Sequence, residues 1–242
     1  TVWHSPPKDK SHVGHTLQIL SIPALSALTG IRSIGDFRTA DMAMGGQGAP
    51  LVPIFDAEFL HSEIDHTIAI NIGGMANLTI IPKERDNSVL AFDTGPGNIL
   101  IDLAMRRFFG KQYDENGLFA SEGKVLDRLW KNLCGLEFIT QKPPKSTGRE
   151  VFNEGFLRDV LEVSFVNTFP GEDIVRTITD FTAWSIAENI RLFGFENARI
   201  LVTGGGANNL TLMKRLKTEL PKSLFLSSKD VGFDEDIKEA LC

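Results

Sequence analysis

The chain is poor in cysteine: Cys134 and Cys242 are its 2 thiols among 242 residues. So few, so far apart, they supply neither a metal-binding spacing nor a disulfide framework. A reducing, cytoplasmic setting is therefore expected. No stretch has the pattern of a secretory leader. No run approaches the roughly eighteen apolar residues of a membrane span, so a membrane is not an expected partner. Positive charge is also in deficit, with 25 Lys and Arg against 31 Asp and Glu and a net charge of −6. Without a basic stripe, nucleic acid is not an expected partner either. Two phosphate-binding frames are missing. Residues 143–150 lack the GxxxxGK order of a Walker loop. The turn Gly204-Gly205-Gly206 lacks the third glycine of the Rossmann fingerprint, because Asn209 stands there.

What is present is an ordinary globular composition, 42% hydrophobic and 23% charged. The length suits one large domain or one and a half smaller ones. The chain opens at Thr1 without a methionine and stops at Cys242, inside a helix pattern begun near Asp236. Both ends are expected to be cut from a longer protein. His12 and His15 stand at a metal-compatible spacing, but no third ligand lies nearby, so a solvated loop is expected.

The most informative stretch surrounds Asp93. An apolar strand, residues 88–92, runs into this carboxylate; Gly95-Pro96-Gly97 and an apolar periodic run over 99–109 follow. Asp93 is thus expected at the carboxyl end of a strand, beside a helix that Asn98 caps. Open α/β sheets bind ligands at that edge. Glycine turns and helix starts attract anions. A carboxylate there is a metal ligand, a base aimed near a phosphate, or a side chain that only ties the turn.

Earlier in the chain, Asp36, Arg38 and Asp41 adjoin the glycine-rich loop Gly45-Gly46-Gln47-Gly48. Two acceptors and one fork-shaped donor suit a hydroxylated or carboxylated small molecule. The alternative is a surface ion pair of little value. A short strand is expected over 16–19 and a helix over 22–28, with Gly30 as its stop. Strands 67–71 and 77–81 meet at Gly73-Gly74 as a hairpin. Ser121 is expected to cap a helix carrying Val125, Leu126, Leu129, Trp130 and Leu133, closed by Gly135. Residues 173–193 read as a long, buried helix between Asp173 as cap and Gly194 as stop. Strand 198–202, the glycine turn, helix 209–220 and strand 223–226 complete the order. Strand, glycines and helix suit a nucleotide; they also suit close helix–strand packing. In the loop 143–150, Lys145 and Arg149 either reach a phosphate or substrate or are solvated charges.

From residue 66 this order resembles one domain of the actin, sugar-kinase and heat-shock ATPase superfamily. Asn71-Ile72-Gly73-Gly74-Met75-Ala76-Asn77 looks like its second phosphate loop, and Thr203-Gly204-Gly205-Gly206-Ala207-Asn208-Asn209 like its adenosine loop. The resemblance implies an α/β, sugar-kinase/actin-like ATPase fold, a mixed sheet with helices on both faces, and an incomplete first domain. Residues 1–65 would be the C-terminal part of domain I, on the substrate side. Residues 66–242 would be domain II, on the nucleotide side, with its last helix cut short. Five motifs then occur in one order: Asp36-Phe37-Arg38; the loop from Gly45 to Pro53; Asn71-Ile72-Gly73-Gly74; Phe92-Asp93-Thr94-Gly95-Pro96-Gly97-Asn98; and Lys145-Ser146-Thr147-Gly148-Arg149-Glu150. Together they resemble the signatures of the anhydro-N-acetylmuramic acid kinases.

That resemblance implies a carbohydrate kinase, a phosphotransferase with an alcohol acceptor. It would open 1,6-anhydro-N-acetylmuramic acid with water and phosphorylate it with ATP and Mg2+, giving N-acetylmuramic acid 6-phosphate in cell-wall peptidoglycan recycling. Asp93 would be the catalytic base. Asp36, Arg38, Asp41 and Gln47 would bind the sugar. Asn71, Gly73, Gly74, Gly204, Gly205, Gly206 and Asn209 would bind ATP. No metal ligand is assigned. The partners would be the amino sugar and ATP, and a homodimer is an assembly left open. Two departures stand out: the family's glycine-rich first phosphate loop precedes the position of Thr1, and Leu20 replaces a usual glycine. This chain alone is therefore expected to be inactive. The alternatives are a non-catalytic nucleotide-binding module or an inactive fragment of the same superfamily. A pure ATPase clamp would need no sugar-facing trio, so Asp36 and Arg38 with Asp93 separate these readings.

Overall fold

In the computed structural model the described residues are 3–5, 7, 14–48, 51–85, 88–166 and 168–231. Thr1, His12, residues 49–50 and the helix expected near Asp236 lie outside them. The chain divides into two compact units, Thr1–Ile54 and Phe55–Cys242. Among the described residues no helix is long and apolar enough to cross a membrane.

In the first unit, β1 (Trp3–Ser5) and β2 (His15–Leu17) form an antiparallel pair. Helix α1 (Ile22–Thr29) has strong local signals: the Ala24 N–H donates to Ser21 Oγ at 3.3 Å, and Gly30 takes φ +69° as its stop. Yet no α1 side chain is buried, and Leu28 is 87% exposed. Local sequence makes this helix; packing among the described residues does not hold it. Helix α2 (Phe37–Ala43) follows, and α3 (Pro53–Phe59) leads into the second unit.

The second unit is built on a five-stranded sheet of β3 (Thr67–Ile72), β4 (Met75–Ile81), β5 (Leu90–Pro96), β6 (Arg199–Thr203) and β7 (Leu224–Leu226), in the order β5-β4-β3-β6-β7. Only β4 runs against the rest. The period-2 alternation divides the side chains between two layers. Ile68, Ile70 and Ile72 enter the large core; Ala69, Ile81 and Leu201 enter a smaller one with Leu60 and Leu226. The large core is covered by α4 (Ile99–Phe109), α5 (Leu118–Glu122), α6 (Asp127–Cys134), α7 (Glu137–Thr140), α8 (Glu154–Val163), α9 (Gly171–Arg191) and α10 (Leu210–Glu219). The small core is covered from α3 and from α11 (Ser228–Val231). The expected mixed sheet with helices on both faces is what forms.

Two expected helix starts are wrong, for one physical reason. The α9 helix begins at Gly171 and Asp173 lies inside its first turn, where the carboxylate accepts the Lys124 N–H at 2.7 Å. Ser121 lies at the end of α5 and donates to the Leu118 carbonyl instead of capping α6. Between α5 and α6 the chain is extended at Gly123, which packs so closely on Glu172 that a Cβ there would collide with its backbone. The Leu126 N–H donates to Thr177 Oγ1 at 2.9 Å. Backbone groups that a continuous helix would have used are satisfied by α9, so tertiary bonds override the local pattern.

Candidate active site

Asp93 does not end its strand. Strand β5 continues to Pro96, and Asp93 pairs with Asn77 while Gly95 pairs with Ala76. Thr94 is the extra residue of a β-bulge, and its hydroxyl donates to the Ala76 carbonyl at 3.1 Å. Bulges re-aim neighbouring side chains. The loop 143–150 closes over Asp93 from the other side. The Asp93 N–H donates to the Lys145 carbonyl at 3.3 Å, and the Thr147 N–H donates to Asp93 Oδ2 at 2.9 Å. Asp93 Oδ1 has no hydrogen-bond partner among the described residues. Burial raises the Asp93 carboxyl above its ordinary range; the Thr147 N–H opposes the rise, Glu150 adds to it and Lys145 opposes it. A carboxylate with one oxygen fixed, one unpartnered and a raised pKa can act as a base.

The helix start beside Asp93 is not open to anions as expected. The N–H groups of Gly97 and Ile99 donate to the Gly74 carbonyl at 2.9 and 3.1 Å, and that of Asn98 to the Gly73 carbonyl at 2.8 Å. The glycine hairpin thus consumes the first donors of α4. Nor does the Asn98 side chain cap the helix. Its Nδ2 donates to the Ile72 carbonyl at 3.3 Å, which ties the hairpin to α4.

Strands β3 and β6 run parallel, so Asn71 and the turn 204–206 meet at one sheet edge. The three glycines there differ. A Cβ on Gly204, at φ +82°, would crowd Asn71 Oδ1 and the Ile72 carbonyl, and one on Gly206 would collide with the Ile72 side chain. Gly205 is exposed, and a Cβ there would meet only Asn98 Nδ2, at 3.7 Å. Close packing therefore explains Gly204 and Gly206, whereas Gly205 borders a cleft of about 490 Å³. Asn98, Asp102, Tyr113, Asn208 and Asn209 also line it. Asn209 Oδ1 accepts the Leu212 N–H at 3.0 Å as the cap of α10, which leaves its amide group for a ligand. Burial raises Asp102 to about 6, and Arg106 and Arg149 oppose the rise. Asp102 lies in a stretch that reads only as an apolar periodic run, and Asn208 belongs to the loop 203–209 but has no expected role there.

Lys145 is not a solvated cation. Its Nζ donates to the carbonyls of Phe138 and Ile139 at 3.0 and 2.9 Å, and stands 4.8 Å from the Phe138 ring centroid. Burial lowers it to about 8, with Asp93 opposing. Arg149 is exposed.

In the first unit the expected sugar residues gather on the loop 45–48. Arg38 donates to the Gly48 carbonyl at 2.9 Å, and the Gly48 N–H donates to Asp41 Oδ2 at 2.7 Å. Gln47 Nε2 donates to the Pro7 carbonyl at 3.3 Å. Asp36 precedes α2 at φ +69° and accepts the Thr39 hydroxyl at 2.7 Å. An aspartate in this left-handed region is uncommon and marks a constrained position. Arg38 and Asp41 hold the loop's shape, whereas Asp36 ties the first turn of α2 and Gln47 reaches back to Pro7. His4, also missed, bonds Thr16 Oγ1 at 3.2 Å; burial and the Arg38 charge lower its pKa.

A family model described as anhydro-N-acetylmuramic acid kinase matches residues 1–242. A protein of that name from Clostridioides difficile is 40% identical over 247 aligned residues, covering 100% of this chain and 63% of its own length. Another from Crocosphaera subtropica is 40% identical, covering 100% of this chain and 65% of its own. One from Bacillus cereus is 38% identical, with 100% and 64% covered. The chain thus spans less than two thirds of these relatives. Among solved structures, the activator of the 2-hydroxyisocaproyl-CoA dehydratase from Clostridium difficile with bound ADPNP superposes at a TM-score of 0.44. It is 15% identical, over 72% of this chain and 57% of that one, too loose a match to carry an assignment.

Proposed function

The chain belongs to the anhydro-N-acetylmuramic acid kinase family, and from that premise we propose that the whole protein is an ATP-dependent carbohydrate kinase. It opens 1,6-anhydro-N-acetylmuramic acid with water and yields N-acetylmuramic acid 6-phosphate, in cytoplasmic recycling of the cell wall. The supporting observation is Asp93: one carboxylate oxygen is fixed by Thr147, the other is unpartnered among the described residues, and burial raises its pKa. Water is a weak nucleophile at neutral pH, and a placed carboxylate takes its proton as it attacks the anomeric carbon. A bare nucleotide-binding module needs no such group.

In this reading residues 1–65 serve the sugar and 66–242 serve the nucleotide. Asp36, Arg38, Asp41 and Gln47 bind the sugar, with Arg38 and Asp41 also shaping the loop 45–48. Asn71, Gly73 and Gly74 border the phosphates, while Gly205 and Asn209 border the nucleoside. Gly204 and Gly206 allow the turn to lie against β3. Among the described residues no group of three His, Cys, Asp or Glu could hold a metal. Magnesium would arrive on the triphosphate, keeping phosphate and water oxygens as most of its ligands.

The test is turnover of Asp93→Asn in the whole protein across a magnesium titration, with sugar and ATP binding measured alongside. A base predicts intact binding and lost turnover. Near-normal turnover would sink the catalytic role, and rescue by magnesium would move Asp93 to the metal.

A further inference from the structure

The loop over Asp93 carries two cations, Lys145 and Arg149, and they are used differently. The Lys145 ammonium is committed to two carbonyls at the end of α7 and to the rings of Phe92 and Phe138. Arg149 lies two residues beyond Thr147, the residue whose N–H holds Asp93. Its place is set by a turn in which the N–H groups of Val151 and Phe152 donate to the Gly148 carbonyl at 3.1 and 3.0 Å. Asn153 Nδ2 donates to the Arg149 carbonyl at 3.3 Å. The backbone is therefore fixed, while the guanidinium is exposed and makes no hydrogen bond or ion pair among the described residues. Its charge reaches Asp102, which lines the cleft beside Gly205. One short loop thus holds the base through Thr147 and carries, two residues on, an exposed cation whose charge is felt by Asp102 on the cleft wall.

We propose that Arg149 binds the γ-phosphoryl group of ATP during its transfer, and that Lys145 positions the loop that carries it. The inference rests on the kinase reading above. In the reaction, the water oxygen bonds to the anomeric carbon and Asp93 takes the water proton. The bond from that carbon to the bridging 6-oxygen breaks, and the 6-oxygen keeps the electron pair. That oxygen then bonds to the γ-phosphorus as the bond to the β–γ bridging oxygen breaks, and ADP leaves. Negative charge spreads over the γ-oxygens in this step, and positioning with charge neutralisation is most of the catalysis. A guanidinium offers two parallel donors to such oxygens, which an ammonium does not.

The test compares wild type, Arg149→Gln and Arg149→Lys in the whole protein. Affinities for ADP and for a non-hydrolysable ATP analogue are measured beside turnover on the anhydro-sugar. Losing a charged hydrogen bond to the γ-phosphate should weaken the analogue about tenfold or more in Arg149→Gln, with ADP changed less than about twofold. Turnover should fall by about 10²–10³, and Arg149→Lys should recover only part of it. Equal losses for analogue and ADP would mean a structural role and overturn the proposal, as would no change in either. The ratio of analogue to ADP affinity is read without turnover. If wild type fails to phosphorylate the sugar, the kinase reading falls while the ratio still decides on Arg149.

Discussion

Asp93 and Asp102 lie nine residues apart on one strand–turn–helix stretch, and burial is the first cause that raises both carboxyls. Their surroundings differ. Asp93 is gripped by backbone from the loop 143–150, and its bulged strand is braced by α9. There Asn189 Nδ2 donates to the Thr94 carbonyl at 3.4 Å and Thr182 Oγ1 to the Gly97 carbonyl at 3.1 Å. Asp102 stands on the wall of an open cleft with cations nearby and no such grip. Burial alone therefore does not identify a catalytic group. Pre-organisation is what sets Asp93 apart, as a base must hold its geometry before the substrate arrives.

The largest effect that would break this comparison is on turnover. Asp93→Asn should lower turnover by about 10²–10⁴, the usual worth of a general base. Asp102→Asn should cost less than about tenfold in the same assay of the whole protein. Similar losses for the two would erase the distinction drawn from their surroundings.

A smaller effect tests the cleft itself. Gly205→Val adds a side chain that the protein tolerates but that fills space beside Asn98. It should raise the ATP Michaelis constant about tenfold or more, through roughly 1.4 kcal/mol of lost binding, and leave sugar binding and Tm unchanged. Gly206→Val should do the reverse and lower Tm, because its Cβ collides with Ile72. Matched losses of Tm would make the turn purely structural.

The smallest effect concerns stability against pH. Asp102 is raised from 3.8 to about 6. Between those values the folded state binds the proton more tightly than the unfolded chain, so wild-type stability falls as pH rises through that window. Asp102→Asn lacks that slope. Its stability relative to wild type should climb between pH 4 and 6 by about 1 kcal/mol, discounted for partial exposure, and stay level above. Urea titrations at several pH values would read it, and parallel curves would refute the raised carboxyl.

The element order, the long buried helix α9 and the glycine hairpin were legible in the sequence. They rest on periodicity, turn chemistry and motif order, which neighbouring residues encode. The strand–glycine–helix pattern also placed the turn 204–206 at the end of β6. Sequence could not divide the three glycines, because what separates them is the position of Ile72 and Asn98. It misplaced the caps at Asn98, Ser121 and Asp173 because each of these side chains has the right chemistry for a cap. Asn98 and Asp173 found partners elsewhere in the chain, and Ser121 closes back on its own helix.

The sequence by itself determined the strands of the sheet, the long helix α9 and where the chain turns between them. Only the tertiary structure decided that Asp93 is held by a loop 54 residues away, that Lys145 is a half-buried brace, and that the Arg149 side chain is exposed. Local sequence sets backbone geometry over one or two turns of chain. The partner that satisfies a polar group, and the burial that shifts its pKa, come from segments brought together only by the packed core.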